Sequence, residues 1–158
     1  MVIVSMNKSE KVKIVVQNRR ARHNYVIEDT VEAGIALIGT EVKSLRMGRG
    51  SLQDSYADIS GTNVFLRNAH IDQYEPASRF NHDPMRPRRL LLNKSEIRRF
   101  ASKVVQKGYP LVPLAVYFRD GKAKVQLALA RGRKTYDKRE AIKERDIKRE
   151  SERILKDR

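Results

Sequence analysis

The sequence predicts a mainly β fold: a small antiparallel barrel, closed or partly closed, with flanking helices and a charged C-terminal tail. Three observations carry this. Most apolar residues sit in short β-branched runs that end at turn residues, the signature of strands. Two pairs of runs are joined by short polar turns, which marks hairpins. Only one segment repeats apolar residues with the period of a well-formed amphipathic helix. The length of 158 residues suits one domain with an arm or tail.

The elements follow in chain order. Residues 12–16 are β-branched and alternate weakly, as a strand does. A basic stretch comes next, Asn18-Arg19-Arg20-Ala21-Arg22-His23, followed by Tyr25-Val26-Ile27. Asp29 or Thr30 is placed to cap a short helix through Val31-Glu32-Ala33, with Gly34 as its stop. Residues 35–38 and 41–45 read as strand interrupted by Gly39. Residues 56–59 and 64–66 flank Ser60-Gly61-Thr62-Asn63 and form a hairpin. Residues 75–89 hold Pro76, Pro84 and Pro87 beside Arg79, Arg86, Arg88 and Arg89, and predict a long basic loop. Asn93 and Glu96 have capping-box spacing. Ile97, Phe100, Ala101, Val104 and Val105 then mark one helical face, and Gly108 ends it. Residues 111–118 and 122–129, joined by Arg119-Asp120-Gly121, give the strongest hairpin: Val125, Leu127 and Leu129 alternate with Lys124, Gln126 and Ala128. Closing such strands into a barrel removes exposed sheet edges, so the oligonucleotide-binding type of barrel is the natural fit.

Charge narrows the function classes. Lys and Arg number 34 against 19 Asp and Glu, a formal net charge of +15. A surface so charged repels itself unless an anionic partner neutralises it, so nucleic acid or an anionic membrane is expected. Residues 131–158 alone hold 12 basic and 7 acidic residues. They are too poor in apolar side chains to bury a core, so the sequence divides into an N-terminal extension and first strand (1–17), a body (18–130) and a tail (131–158) expected to be unfolded when free. Ile147, Ile154 and Leu155 fall near one helical stripe, which suits folding against a partner. The tail lacks the bulky apolar face of a membrane anchor. No apolar run approaches the roughly 18 residues of a membrane span, and residues 1–6 are too short for a signal-peptide core, so a cytoplasmic protein is expected.

Catalytic signatures are weak. Cysteine is absent, which excludes thiolate chemistry and cysteine–zinc sites. Gly48-Arg49-Gly50 lacks the third glycine and the βαβ setting of a dinucleotide loop. His23, His70 and His82 lack metal-ligand spacing. His82-Asp83 has the form of an acid–base pair, against the plainer reading of a solvated loop. No catalytic residue, metal or cofactor is expected. An RNA chaperone or ribosomal protein, or an RNA-acting enzyme using His23 or His82, are the rival readings.

Several motifs, met in order, resemble the small protein B family, the SsrA-binding proteins of bacterial trans-translation. They are Asn18-Arg19-Arg20-Ala21-Arg22-His23, Glu32-Ala33-Gly34, Gly39-Thr40-Glu41-Val42-Lys43-Ser44-Leu45-Arg46, Asp54-Ser55-Tyr56, Asp83-Pro84, Arg88-Arg89-Leu90-Leu91-Leu92-Asn93 and Gly132-Arg133-Lys134-Thr135-Tyr136-Asp137-Lys138-Arg139. The family usually has Gly-Lys where Gly132-Arg133 stands, and often a histidine in place of Tyr136. The resemblance implies an antiparallel barrel that binds the tRNA-like domain of transfer-messenger RNA. Alanyl-tRNA synthetase and elongation factor Tu are then indirect partners through that RNA. It implies entry into stalled ribosomes at the decoding centre, with the tail turning helical in the empty mRNA channel of the 16S rRNA subunit.

The resemblance also places the RNA contact on Glu32, Leu91 and Asn93. Asn and Glu are suited to base edges and 2′-hydroxyls, and Leu to a base or sugar face. Taken alone, Glu32 reads as a solvated helix residue, Leu91 as core, and Asn93 as a helix cap that can serve both roles. Arg19, Arg20, Arg22, Arg88 and Arg89, with His23 beside them, would hold phosphates and set register. In the tail, Gly132 is the expected hinge, Tyr136 an expected stacking ring, Lys134, Lys138 and Arg139 the expected phosphate grips with Asp137 among them, and Ile154 and Leu155 the apolar side of the induced helix.

Overall fold

Two long strands at the end of the body organise everything else in the fold. The computed structural model describes residues 11–132 and, beyond them, Arg149 alone. The chain forms β1 (Val12–Gln17), α1 (Arg19–Asn24), β2 (Tyr25–Ile35), α2 (Gly39–Arg46), β3 (Gly50–Ser51), β4 (Tyr56–Ser60), β5 (Asn63–Arg67), β6 (His70–Ile71), a 3-10 turn (Glu75–Phe80), β7 (Arg88–Leu91), α3 (Lys94–Lys107), β8 (Leu111–Arg119) and β9 (Lys122–Gly132). The strands β8, β4, β5, β7, β2 and β9 pair in that order, and β9 returns to pair with β8. The sheet is thus a closed antiparallel ring, as the alternation predicts. β8 carries a third partner on its outer edge: β1 lies against Ala115–Arg119, while β4 meets it at Leu111. β3 and β6 form a separate two-stranded piece.

The ring is filled from its inner face. Val125, Leu127 and Leu129 are essentially inaccessible, together with Val64, Leu66, Leu90, Leu111 and Phe100. On the opposite face Ala128 is buried as well, because α1 lies over it. Ala21 packs there against Ala128, Ala130, Val112 and Leu114. Asn18 fixes α1 in this place. Its side chain accepts from the Ala21 amide at 3.3 Å and donates to the Pro113 carbonyl at 2.9 Å, while its own amide donates to the Leu114 carbonyl at 2.8 Å. α3 covers the ring with Ile97 and Phe100, and Lys103 reaches Asp29 of β2 at 2.8 Å. The capping box is half visible in a 3.1 Å bond from the Asn93 amide to Glu96 Oε1, and Gly108 ends the helix at φ +67°, a backbone that favours glycine. Val105, placed by its spacing on the packed face, is 83% exposed.

Three expected elements differ, and one unassigned stretch takes a definite form. Residues 31–33 are not a helix but the middle of β2, since Val31 and Ala33 point into the core and Gly34 lets Leu91 of β7 approach: a Cβ there would lie 3.2 Å from Leu91 Cβ. Residues 41–45 are not strand but helix α2. The basic stretch, to which the sequence assigns no element, is helix α1 over Arg19–Asn24. The loop at 75–89 contains a 3-10 turn, and its end belongs to β7.

The reason for α2 is Glu41. It is fully buried, and so is Arg88. Arg88 Nε donates to Glu41 Oε2 at 2.5 Å, and Arg86 Nη2 donates to Oε1 at 2.6 Å. The Ile38 amide closes the first turn of α2 by donating to Oε1 at 2.8 Å. The rest of the Arg88 guanidinium is used by carbonyls of Ala69 at 2.7 Å and Pro84 at 3.1 Å. Arg88 therefore ties α2 and the 75–87 segment to the ring, and is corrected from an expected phosphate ligand to a buried structural residue. Burial raises the Glu41 carboxyl, but the bonds from Arg86, Ile38 and Arg88 outweigh it and hold the group below its ordinary 4.5. A lowered folded value means stability that is present above pH 4.5 and lost as pH falls through the folded value. Acid titration of the unfolding free energy should show this loss, and Glu41→Gln should flatten the curve in that window.

Candidate nucleic-acid interface

Strand register decides which side chains share a surface. Gly34 of β2 lies opposite Leu91 of β7 on one side and Lys124 of β9 on the other, and Lys124 lies opposite Tyr117 of β8. Two residues back, Glu32 faces Gln126, which faces Ala115. With alternation along each strand, Glu32, Leu91, Arg89, Lys124, Gln126, Tyr117 and Arg119 all belong to the outer face of the ring. α1 stands at one margin of this face.

Glu32 is the centre of a small network. It accepts the Tyr117 hydroxyl, and Arg119 Nη1 lies 2.9 Å from its Oε2. The Arg119 guanidinium also sits 5.7 Å from the centre of the Tyr117 ring. Burial and then the Glu32 carboxylate push the Tyr117 hydroxyl well above its ordinary value, so it remains a donor. The Glu32 charge is matched by Arg119. A carboxylate has about four lone-pair positions, so Glu32 keeps acceptor capacity for a hydroxyl from outside.

The other expected site residues separate clearly. Leu91 is 53% exposed, so it is surface and not core. Arg19, Arg20, Arg22 and His23 are exposed on α1, and Arg89 is exposed on β7 beside buried Arg88. Asn93 is exposed at the start of α3, two residues beyond Leu91. His82 is neither a solvated residue nor half of an acid–base pair. Its ring is buried between Thr40 Oγ1 at 2.8 Å and the Ile71 carbonyl at 2.9 Å. Gly132 is the last residue of β9, opposite Tyr25. Lys134, Tyr136, Asp137, Lys138, Arg139, Ile154 and Leu155 lie outside the described residues. Tyr117, Arg119, Lys124 and Gln126 were not expected as site residues, although the alternation in 122–129 put Lys124 and Gln126 on the non-core side. Among the described residues no cluster of His, Asp or Glu is arranged to hold a metal, and no helix is long and apolar enough to cross a membrane.

Known proteins match this chain along nearly its whole length. The family model described as SmpB protein matches residues 15–157. An SsrA-binding protein of Sphingopyxis alaskensis is 57% identical over 150 residues, covering 94% of this chain and 93% of that one. One from Shouchella clausii is 52% identical, covering 97% and 98%. A chain of the solved structure described as "tmRNA-SmpB: a journey to the center of the bacterial ribosome" is 55% identical, with a TM-score of 0.64 over 73% of this chain and 82% of that one. Barrel, motifs and whole-length identity agree, and the chain belongs to the SmpB family of SsrA-binding proteins.

Proposed function

We propose that this protein binds the tRNA-like domain of transfer-messenger RNA through the outer face of its ring and brings it to stalled ribosomes for trans-translation. The observation that carries the reading is one continuous surface. Glu32, Arg119 and Lys124, exposed Leu91 and the exposed cations of α1 meet there on a chain 57% identical to an SsrA-binding protein. Structured RNA with looped bases asks for this mixture. Cations meet phosphates, polar groups meet base edges and 2′-hydroxyls, and an aliphatic surface packs on a base or sugar. In this reading Glu32 orients Tyr117 and Arg119 and accepts from the RNA, and Asn93 reads an edge while starting α3. No step requires a catalytic residue or a cofactor. The tail enters the mRNA channel and meets the decoding-centre rRNA with Lys134, Tyr136, Lys138 and Arg139.

The test is a titration, in near-physiological salt, against the tRNA-like domain and against an ordinary elongator tRNA. Strong preference for the former is expected, and equal affinity would replace the reading with that of a general basic RNA binder. Within the face, Glu32→Gln keeps an acceptor for Tyr117 and removes the charge that holds Arg119. It should weaken the RNA about tenfold, roughly 1.4 kcal/mol, while the thermal transition stays single and near its original midpoint. Asn93→Ala should likewise weaken the RNA with a cooperative melt, and a collapsed fold would assign Asn93 to capping alone.

A further inference from the structure

The segment between β6 and β7 holds the most exposed aromatic ring among the described residues. Phe80 ends the 3-10 turn and is 78% exposed. The turn beneath it is closed by Asn81, whose side chain accepts from the Tyr74 amide and donates to the Tyr74 carbonyl, both at 2.8 Å. The next residue is His82, the ring buried between Thr40 and Ile71, and Gln73 donates to the His82 carbonyl at 3.1 Å. A loose tip could fold its ring down onto the body. This one is clamped at both ends and holds Phe80 outside, which lowers the ordering cost of docking. Met85, the next large apolar side chain, is also exposed.

An open ring suits either a nucleobase or an apolar pocket on a protein. Charge decides between them. Asp72, Glu75 and Asp83 are all exposed around this knob. Against these three carboxylates stand two exposed cations, Arg79, 5.6 Å from the centre of the Phe80 ring, and Lys43 of α2, 5.4 Å from that of Tyr74. His70, 3.0 Å from Asp72, adds a charge only when protonated. The knob is thus negative by one on a chain of +15. Phosphates are repelled by such a collar, whereas a protein surface with a cationic rim is attracted to it. An aromatic centre within a polar rim is also the usual anatomy of a protein–protein contact.

We propose that residues 72–85 form a protein-docking knob: Phe80 enters an apolar pocket on a basic protein of the ribosome, with Asp72, Glu75 and Asp83 facing the cations at its rim. The inference rests on the ribosome-entry reading above and adds a protein contact to its RNA contacts. Phe80 is the anchor of the contact, and the carboxylates select the partner.

The first test places a photo-crosslinker in the ring's position, Phe80→p-benzoylphenylalanine, and irradiates stalled ribosomes that carry the protein and transfer-messenger RNA. The adduct should survive ribonuclease and map to a basic ribosomal protein. An adduct with rRNA or transfer-messenger RNA, or no adduct, would overturn the proposal. Phe80→Ser should weaken binding to stalled ribosomes about tenfold, with Phe80→Leu retaining most of it. Both variants should keep the original affinity for the free tRNA-like domain and the original thermal midpoint, since the ring packs on nothing in the body. The second test reverses the collar with Asp72→Lys and Glu75→Lys together. A protein partner predicts weaker ribosome binding and a lower yield of the adduct. An RNA partner predicts the opposite sign: tighter binding and a steeper salt dependence. Equal ribosome binding by Phe80→Ser and the original also overturns the knob. If the unaltered protein does not join stalled ribosomes, the functional reading fails. If it joins them while the Phe80 and collar variants are silent, only the knob fails.

Discussion

Glu41→Leu is expected to lower the unfolding free energy of the body by about 3–5 kcal/mol, measured by urea denaturation at neutral pH. The size follows from what remains. Arg88 is fully buried, and without Glu41 its charge has only carbonyls for company. A domain of this size holds about 5–15 kcal/mol in total, so the variant sits close to the unfolding threshold. Combining it with Arg88→Met should recover part of the loss, since neither charge is then stranded. Recovery stays incomplete because the Ala69 and Pro84 carbonyls lose their donor. The same residues separate scaffold from interface. With fold retained in the double variant, the salt slope of RNA binding should be unchanged. Arg89→Met, one residue along and exposed, should reduce it by about 0.7–0.9. A reduced slope in the double variant would return Arg88 to the phosphate-binding set.

Deleting residues 133–158 should have the largest functional effect. Gly132 is kept because it completes the pairing of β9 with Tyr25. Binding to the free tRNA-like domain should be nearly normal, since the outer face of the ring is untouched. Peptide tagging on stalled ribosomes should be abolished. A merely electrostatic tail gives another result. RNA affinity would then fall with the lost charge, net +4 of the chain's +15, and tagging would fall in step with it.

What was legible in the sequence was whatever local chemistry decides. The hairpin of β4 and β5, the hairpin of β8 and β9, β1 and α3 all announce themselves by alternation, turn residues or a cap. What was not legible depended on distant partners. Glu41-Val42-Lys43-Ser44-Leu45 holds Val42 and Leu45 three apart, a helical spacing too short to outweigh the strand reading, and the partner that buries Glu41, Arg88, lies far away in sequence. Gly34 resembles a helix stop, yet its role is to let Leu91 approach from another strand. Arg88 and Arg89 look equivalent side by side. Period-two alternation with Leu90 inside does say that one of them points inward, and that signal was available. His82 gave no hint that Thr40 and Ile71 would enclose it. For the proposed site, family motifs pointed to Glu32, Leu91 and Asn93, whereas the neighbours of Glu32, Tyr117, Arg119 and Gln126, become visible only when register lays β8 and β9 beside β2.

That register also sets a schedule for synthesis. β1 and β2 are made first, yet their partners β8 and β9 come about a hundred residues later. At ~5–20 residues per second the early strands wait on the order of 5–20 s for the pieces that close the ring. Until Gly132 has left the exit tunnel, both carry unsatisfied backbone edges, the form most open to proteases and to mispairing. A copy of this protein cut short by a broken message before β9 would therefore never close. The fold polices its own completeness, and only full-length synthesis yields a barrel able to present its outer face.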